Sequence, residues 1–233
     1  MKNSMCYFCS FLFLLLILGS NAFAQENTSS IHFSLLGGLS LPQGDFGSTA
    51  NAKNEDKAGF ANTGFCAMVE GSKNLNESIM WVSSLSLALN SMDESVGRSR
   101  YSEEKATVGS YLTSWAMTGI GYETAISPTI NIYGTGQIGL LLSSVPDVEA
   151  SSGYSASSFK VTTKMGTSFA YGFGGGIKIN KINIGIRYYT GEPEYEESEV
   201  YSYSTAGYSS SSTDTRKVQR PATVLLLMIG INL

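Results

Sequence analysis

Charge is scarce in this 233-residue chain: 15% of its residues are charged, against about 25% in an ordinary globular domain. The few charges sum to a net −4 at pH 7. That balance lacks the basic surface a phosphate backbone demands, so a nucleic-acid partner is excluded. Histidine occurs once, as His32, which excludes a histidine-rich metal centre. Any Ser-His-Asp or Cys-His site would have to use that one side chain. There are three cysteines, and two of them, Cys6 and Cys9, fall in the first segment. Cys66 is left without an internal partner, so no disulfide framework holds the fold. Long apolar runs are also missing. Beyond the first segment no stretch reaches the roughly 18 apolar residues of a transmembrane helix.

The first segment reads as a secretory signal peptide over residues 1–24. Lys2 supplies its positive end, the apolar stretch runs from Tyr7 to Gly19, and Ala22-Phe23-Ala24 fits the small-x-small cleavage pattern. Cleavage is expected between Ala24 and Gln25, leaving one domain over 25–233. No cysteine follows the apolar stretch, so no lipoprotein anchor is expected. An exported chain without a spanning helix is either soluble or a β-barrel, because only helices and closed barrels satisfy the backbone in lipid.

Period-2 alternation bounded by turn residues is the main signal in the rest. In 79–91, Ile79, Trp81, Leu85, Leu87 and Leu89 share one face. In 166–179 that face holds Phe169, Tyr171, Phe173, Ile177 and Ile179, and in 182–190 it holds Ile182, Ile184, Ile186 and Tyr188. Asn180-Lys181 between the last two predicts a two-residue hairpin turn, with Asn180 taking positive φ. Segments 31–41, 60–71, 129–143 and 222–233 alternate in the same way. Segment 109–123 leaves its face open, since Tyr111, Trp115 and Met117 compete with Leu112 and Ile120. Long connections follow the odd-numbered segments and short ones the even-numbered. That predicts an eight-stranded antiparallel up-and-down barrel, with long external loops at one end and short periplasmic turns at the other.

Charge decides which face looks outward. The eight segments hold four charged residues, Glu70, Glu123, Lys178 and Arg187. A soluble, lipocalin-like barrel would turn glycine, alanine, serine and asparagine to water with almost no charge, where soluble surfaces are about 25–35% charged. With the Leu/Ile/aromatic faces against lipid, the small polar faces fill a narrow lumen. Tyr111, Phe169, Tyr171 and Tyr188 then form an aromatic belt near the long-loop end, and Phe33 and Trp81 one near the other.

These residues resemble the small eight-stranded outer-membrane barrels of Gram-negative bacteria, the OmpA-transmembrane-domain and OmpX-like class. The resemblance covers 25–233. It is most specific in the closing strand, where Leu225, Leu227, Ile229, Ile231 and Leu233 alternate to the last residue. Such barrels usually end in an aromatic residue, and Leu233 departs from that. Leu41-Pro42-Gln43-Gly44-Asp45-Phe46-Gly47 resembles a loop opening of the same class. The resemblance implies location in the outer membrane, lipid as surroundings, and a closing strand 222–233 read by the barrel-assembly machinery. It also implies a monomeric, non-enzymatic role in envelope integrity or adhesion, without cofactor. A small-solute porin with a narrow polar lumen is the alternative.

Candidate site residues are few. Glu70, Lys178 and Arg187 all point inward on this reading, and a charge in a narrow lumen has to be paired or hydrated. At least one acidic–basic pair is therefore expected to bridge the lumen, as a packed polar plug or as the gate of a small pore. His32 and Cys66 are expected on the lumen side as ordinary packed residues. The longest loop, 191–221, carries Glu192, Glu194, Glu196, Glu197 and Glu199 interleaved with Tyr195, Tyr201, Tyr203 and Tyr208. It reads as a solvated surface loop, as a ligand-contacting surface, or as a carboxylate cluster for a divalent cation.

The membrane reading is checked by fractionation. The protein is expected with the outer membrane, running faster on a gel before boiling than after. Recovery in the aqueous fraction with no heat shift would refute it.

Overall fold

The computed structural model describes residues 31–49, 58–95, 106–151, 156–205 and 208–233, and the expected signal peptide and its cleavage site lie outside them. Among the described residues thirteen strands follow in chain order. They are β1 (Ile31–Pro42), β2 (Gly64–Asn74), β3 (Ile79–Ser91), β4 (Ala106–Val108), β5 (Ser110–Ser127), β6 (Ile130–Ser144) and β7 (Val148–Ser151). After them come β8 (Ala156–Thr163), β9 (Gly166–Ile179), β10 (Ile182–Gly191), β11 (Glu194–Thr205), β12 (Tyr208–Gln219) and β13 (Ala222–Asn232). Among the described residues no helix is long and apolar enough to cross a membrane.

Eight of these strands form a closed antiparallel wall in the order β1-β2-β3-β5-β6-β9-β10-β13, and β13 returns to β1. They are the eight alternating segments. β3 and β9 coincide with 79–91 and 166–179, while β2 starts at Gly64 rather than at 60. Phe60 has a φ of 54° and is buried, so the chain turns there instead of extending. The hairpin at Asn180-Lys181 forms as its spacing predicts. Ile179 and Ile182 are paired, and Asn180 has a φ of 53°.

The outer face of the wall is apolar. Phe33, Leu35, Leu39, Phe65, Val69, Trp81, Leu87, Leu89, Ile120, Ile138, Leu140, Phe169, Phe173, Ile184 and Ile229 are all exposed, Phe65 to 73%. Water would not tolerate this many bare hydrocarbon faces on one surface, and a bilayer would. In β5 the open choice of face is settled. Leu112 and Ile120 look outward, while Tyr111, Trp115 and Met117 are buried inside. Tyr111 therefore does not belong to the outer aromatic belt: it stacks edge-on against Phe46, 5.0 Å between ring centroids.

The inside corrects a second expectation. Small polar side chains do not fill it alone. Leu36, Met68, Trp115, Met117, Leu141, Val224, Leu226 and Met228 form one buried cluster with Tyr189. Both faces of the wall are apolar over that stretch, the inner one as a packed core. The external mouth is closed by the chain after β1. A short 3-10 turn, Gly44–Phe46, sets Phe46 into the mouth. The Gly59 N–H donates to the Asp45 carbonyl and the Ala61 N–H to the Phe46 carbonyl.

The third correction concerns the long loops. Three of the connections, instead of forming loops, continue the wall as a five-stranded sheet in the order β4-β7-β8-β11-β12. That order repeats β5-β6-β9-β10-β13, the wall strands to which they connect. Proline lies at three of the breaks between wall and extension: Pro146, Pro193 and Pro221. Lacking an N–H, proline interrupts a ladder and marks where each strand leaves it.

At Asn180, replacement by valine puts a β-branched residue in the left-handed region, at about 1–2 kcal/mol. The urea midpoint of the folded barrel in detergent is expected to fall for Asn180→Val and to hold for Asn180→Gly.

Candidate functional site: the sealed lumen and the external sheet

Inward residues stack in layers from the short-turn end upward. Nearest that end, Lys178 Nζ lies 2.6 Å from Glu123 Oε2, and Asn131 Nδ2 donates to Glu123 Oε1 at 2.7 Å. The side chains of this pair are 15% and 21% exposed.

One layer deeper, Arg187 Nη2 donates to Glu70 Oε2 at 2.7 Å, with side-chain exposures of 0% and 4%. Glu70 stands on β2 and Arg187 on β10, separated along the wall by β1 and β13, so the pair bridges the lumen. The same guanidinium donates through Nη1 to the carbonyls of Gly175 and Ile186, and through Nη2 to the Tyr133 hydroxyl at 3.3 Å. Tyr133 donates in turn to Asn183 Oδ1 at 2.8 Å. Its ring lies 5.1 Å from Arg187 Cζ and 5.2 Å from Lys178 Nζ, within cation–π range of both.

Of the three lumen charges singled out from sequence, Glu70 and Arg187 therefore meet. Lys178 does not join them and pairs with Glu123. The four charges in the eight segments thus form two neutral pairs. Above them Tyr189 donates to Gln137 Oε1 at 2.8 Å, and Gln137 Nε2 donates to Ser84 Oγ at 3.1 Å. Next come Trp115, with its ring 6.0 Å from that of Tyr189, and the apolar cluster.

Sequence reasoning missed Tyr133, Asn183, Gln137 and Tyr189. A signal for them existed in the inward glycines of β9. A Cβ on Gly174 would come within 2.3 Å of Arg187 Cδ, and one on Gly176 within 2.6 Å of the Tyr133 hydroxyl. Glycine there vacates the space that the two large side chains occupy. Cys66 is buried on the inner face of β2, as expected, and is free.

Outside the wall, four carboxylates of 191–221 are engaged by cations of the protein itself. Glu194 pairs with Lys217 at 2.7 Å and Glu196 with Lys164 at 2.6 Å, both on an exposed face. On the other face Glu197 is buried and pairs with Arg220 and Arg216, and Arg216 reaches Glu199 at 3.0 Å. The expected solvated loop is thus a hairpin laced by ion pairs. The carboxylates do not converge on a divalent site, and no metal-ligating cluster occurs among the described residues. Tyr195, in the buried face, has its hydroxyl pushed up to about 12 by burial, so it stays neutral. On the outward face the change from Phe169, Tyr171 and Phe173 to Lys164, Glu194 and Lys217 marks where the wall leaves hydrocarbon.

Removing one partner of the Glu70–Arg187 pair leaves a buried charge alone, at about 3–5 kcal/mol, whereas replacing both is far better tolerated. Glu70→Met and Arg187→Met are each expected to lower unfolding stability strongly in detergent. The double variant should be more stable than either. Additive losses would overturn the pairing.

Among solved structures the chain is similar to a major outer membrane protein from Thermus thermophilus, with 10% identity over 87% of this chain and 98% of that one and a TM-score of 0.49. OprG from Pseudomonas aeruginosa shares 12% identity over 88% and 97%, at a TM-score of 0.47. Neisserial surface protein A shares 10% over 89% and 99%, at 0.45. No protein-family model and no curated protein matches the chain. On its own register and outer face, the chain is an eight-stranded antiparallel β-barrel of the membrane-spanning type.

Proposed function

We propose that this protein is a monomeric, non-enzymatic outer-membrane barrel whose wall is an anchor and whose working part is the external sheet. The observation that carries this reading is the filled lumen. Arg187, Trp115, Tyr189 and Leu141 are buried completely inside the wall, and Phe46 and Phe60 close the external mouth. A barrel packed in this way offers no continuous aqueous path, which weighs against the porin alternative. The chain's external investment points the same way. β11 and β12 are 12 residues each, about 40 Å when extended, and stand beyond the wall on the side of the long connections. The reading includes recognition of a surface ligand through 191–221, a role in adhesion or envelope integrity, and delivery by the assembly machinery through β13. The apolar alternation of β13, exposed at Leu227, Ile229 and Ile231 and continued by Leu233, suits that last step.

Two measurements test it. In planar bilayers the purified protein is expected to give no steady single-channel conductance, and regular openings would restore the porin reading. Replacing residues 200–213 by Asn-Gly joins Glu199 to Asp214 through a two-residue turn. This shortened hairpin is expected to keep the heat-dependent gel shift and to lose surface adhesion of expressing cells. Unchanged adhesion would remove the external sheet as the working part.

A further inference from the structure

Residues 25–233 contain seven sulfur atoms, those of Cys66, Met68, Met80, Met92, Met117, Met165 and Met228. Six of them are enclosed. Cys66, Met68, Met92, Met117 and Met228 belong to the packed cluster inside the wall and at its mouth, and Met80 packs with Val82 and Tyr133. None of these six residues is more than 8% exposed, whereas Met165 is 61% exposed. Packing accounts for the enclosed methionines, because an unbranched thioether fills irregular gaps in a narrow lumen. It does not account for Met165.

The place of Met165 in the fold sets what reaches it. It lies between β8 and β9, where the chain passes from the external sheet into the wall. The breaks that follow β6, β10 and β12 carry proline instead. Beside Met165, the Lys164 side chain is 72% exposed and pairs with Glu196 at 2.6 Å, and the Lys164 N–H donates to the Glu196 carbonyl. Four residues further on, Phe169 is exposed on the lipid-facing side. Met165 thus stands where the outer face changes from hydrocarbon to ion pairs, at the external end of the wall. A water-borne oxidant arriving from outside meets this sulfur with no opening of the barrel. It meets the other six only when the wall opens locally.

We propose that Met165 is a peroxide-reactive site at the external rim, the one sulfur of residues 25–233 that takes up oxygen while the protein is folded. The thioether sulfur attacks one oxygen of the peroxide, and the O–O bond breaks. The sulfur is oxidised by two electrons to the sulfoxide, and the peroxide is reduced. The proton on the transferred oxygen passes to the departing oxygen, which leaves as water. The sulfoxide is polar where the thioether was apolar, so the polar surface of the external sheet advances toward the membrane at this junction. Strand pairing involves no sulfur, so the wall stays closed. The inference rests on the membrane-spanning wall and not on which part of the protein meets a ligand.

The test treats the full chain, in detergent micelles and in liposomes, with hydrogen peroxide and maps the products by peptide mass spectrometry. One oxygen per chain is expected in both settings, on the peptide that holds Met165. Each enclosed methionine is expected to react at least about ten-fold more slowly, because it waits for a local opening. In urea-unfolded protein all six methionines are expected to react alike. The oxidised protein should keep its heat-dependent gel shift. Methionine sulfoxide reductases, one for each sulfoxide epimer, should restore the original mass. Folded Met165→Leu is expected to take up no oxygen. Enclosed methionines that keep pace with Met165, a Met165 left unmodified in liposomes, or loss of the gel shift on oxidation would each overturn the proposal.

Discussion

A strand in hydrocarbon has no water to satisfy its backbone, so each N–H and C=O of the wall has to find another strand. Eight strands meet that demand by closing, β13 onto β1, which leaves no edge in the membrane. Closure at eight sets the diameter, and the diameter sets the space inside. That space is occupied where Trp115, Tyr133, Arg187 and Tyr189 point into it. The glycines of β9, the two inward ion pairs and the apolar cluster are consequences of filling it.

The wall consequently has two different insides and outsides. Its outer face is selected for lipid, which needs hydrocarbon and no charge. Its inner face is selected for packing, which admits charge when it is paired. Glu70–Arg187 and Glu123–Lys178 are neutral pairs in this sense. The enclosed Glu70–Arg187 pair costs little as a pair, and would cost about 3–5 kcal/mol if one member were removed. Beyond the membrane the constraint of closure lapses. Five of the eight strands continue as an open sheet, and an open sheet has edges. The free edge of β12 exists only because water, not lipid, surrounds it.

Much of this was legible in the residues. Alternation in 79–91 and 166–179 located β3 and β9 to the residue, since one face of each is predominantly apolar. Asn180 located a hairpin because few residues accept positive φ. The extension of the sheet was harder to read. Its strands are rich in serine, threonine and glutamate, and their alternation is of polar with polar, as at Ser198 and Thr215. β4 finds β7 and β8 finds β11 some 40 residues away in sequence, and no local pattern announces those pairings. The prolines at 146, 193 and 221 did carry the boundary, and only the pairing across them shows that a strand resumes on the other side.

Sequence by itself determined the period, the number of wall strands, the face that meets lipid and the inward direction of Glu70, Lys178 and Arg187. Period 2 and the placement of charge are local properties, so a single chain reveals them. Tertiary structure decided which charges meet. Glu70 reaches Arg187 117 residues away, and Lys178 turns to Glu123, because closure brings β2 opposite β10 and β5 within reach of β9. It also decided that large side chains pack inside the lumen and that the external connections are sheet. Both depend on volumes and partners that exist only when all eight strands are in place. The shortage of charge with which the chain is first met is thus a property of one surface. Inside the wall charge is present and paired, and beyond the membrane it returns in number, much of it in ion pairs.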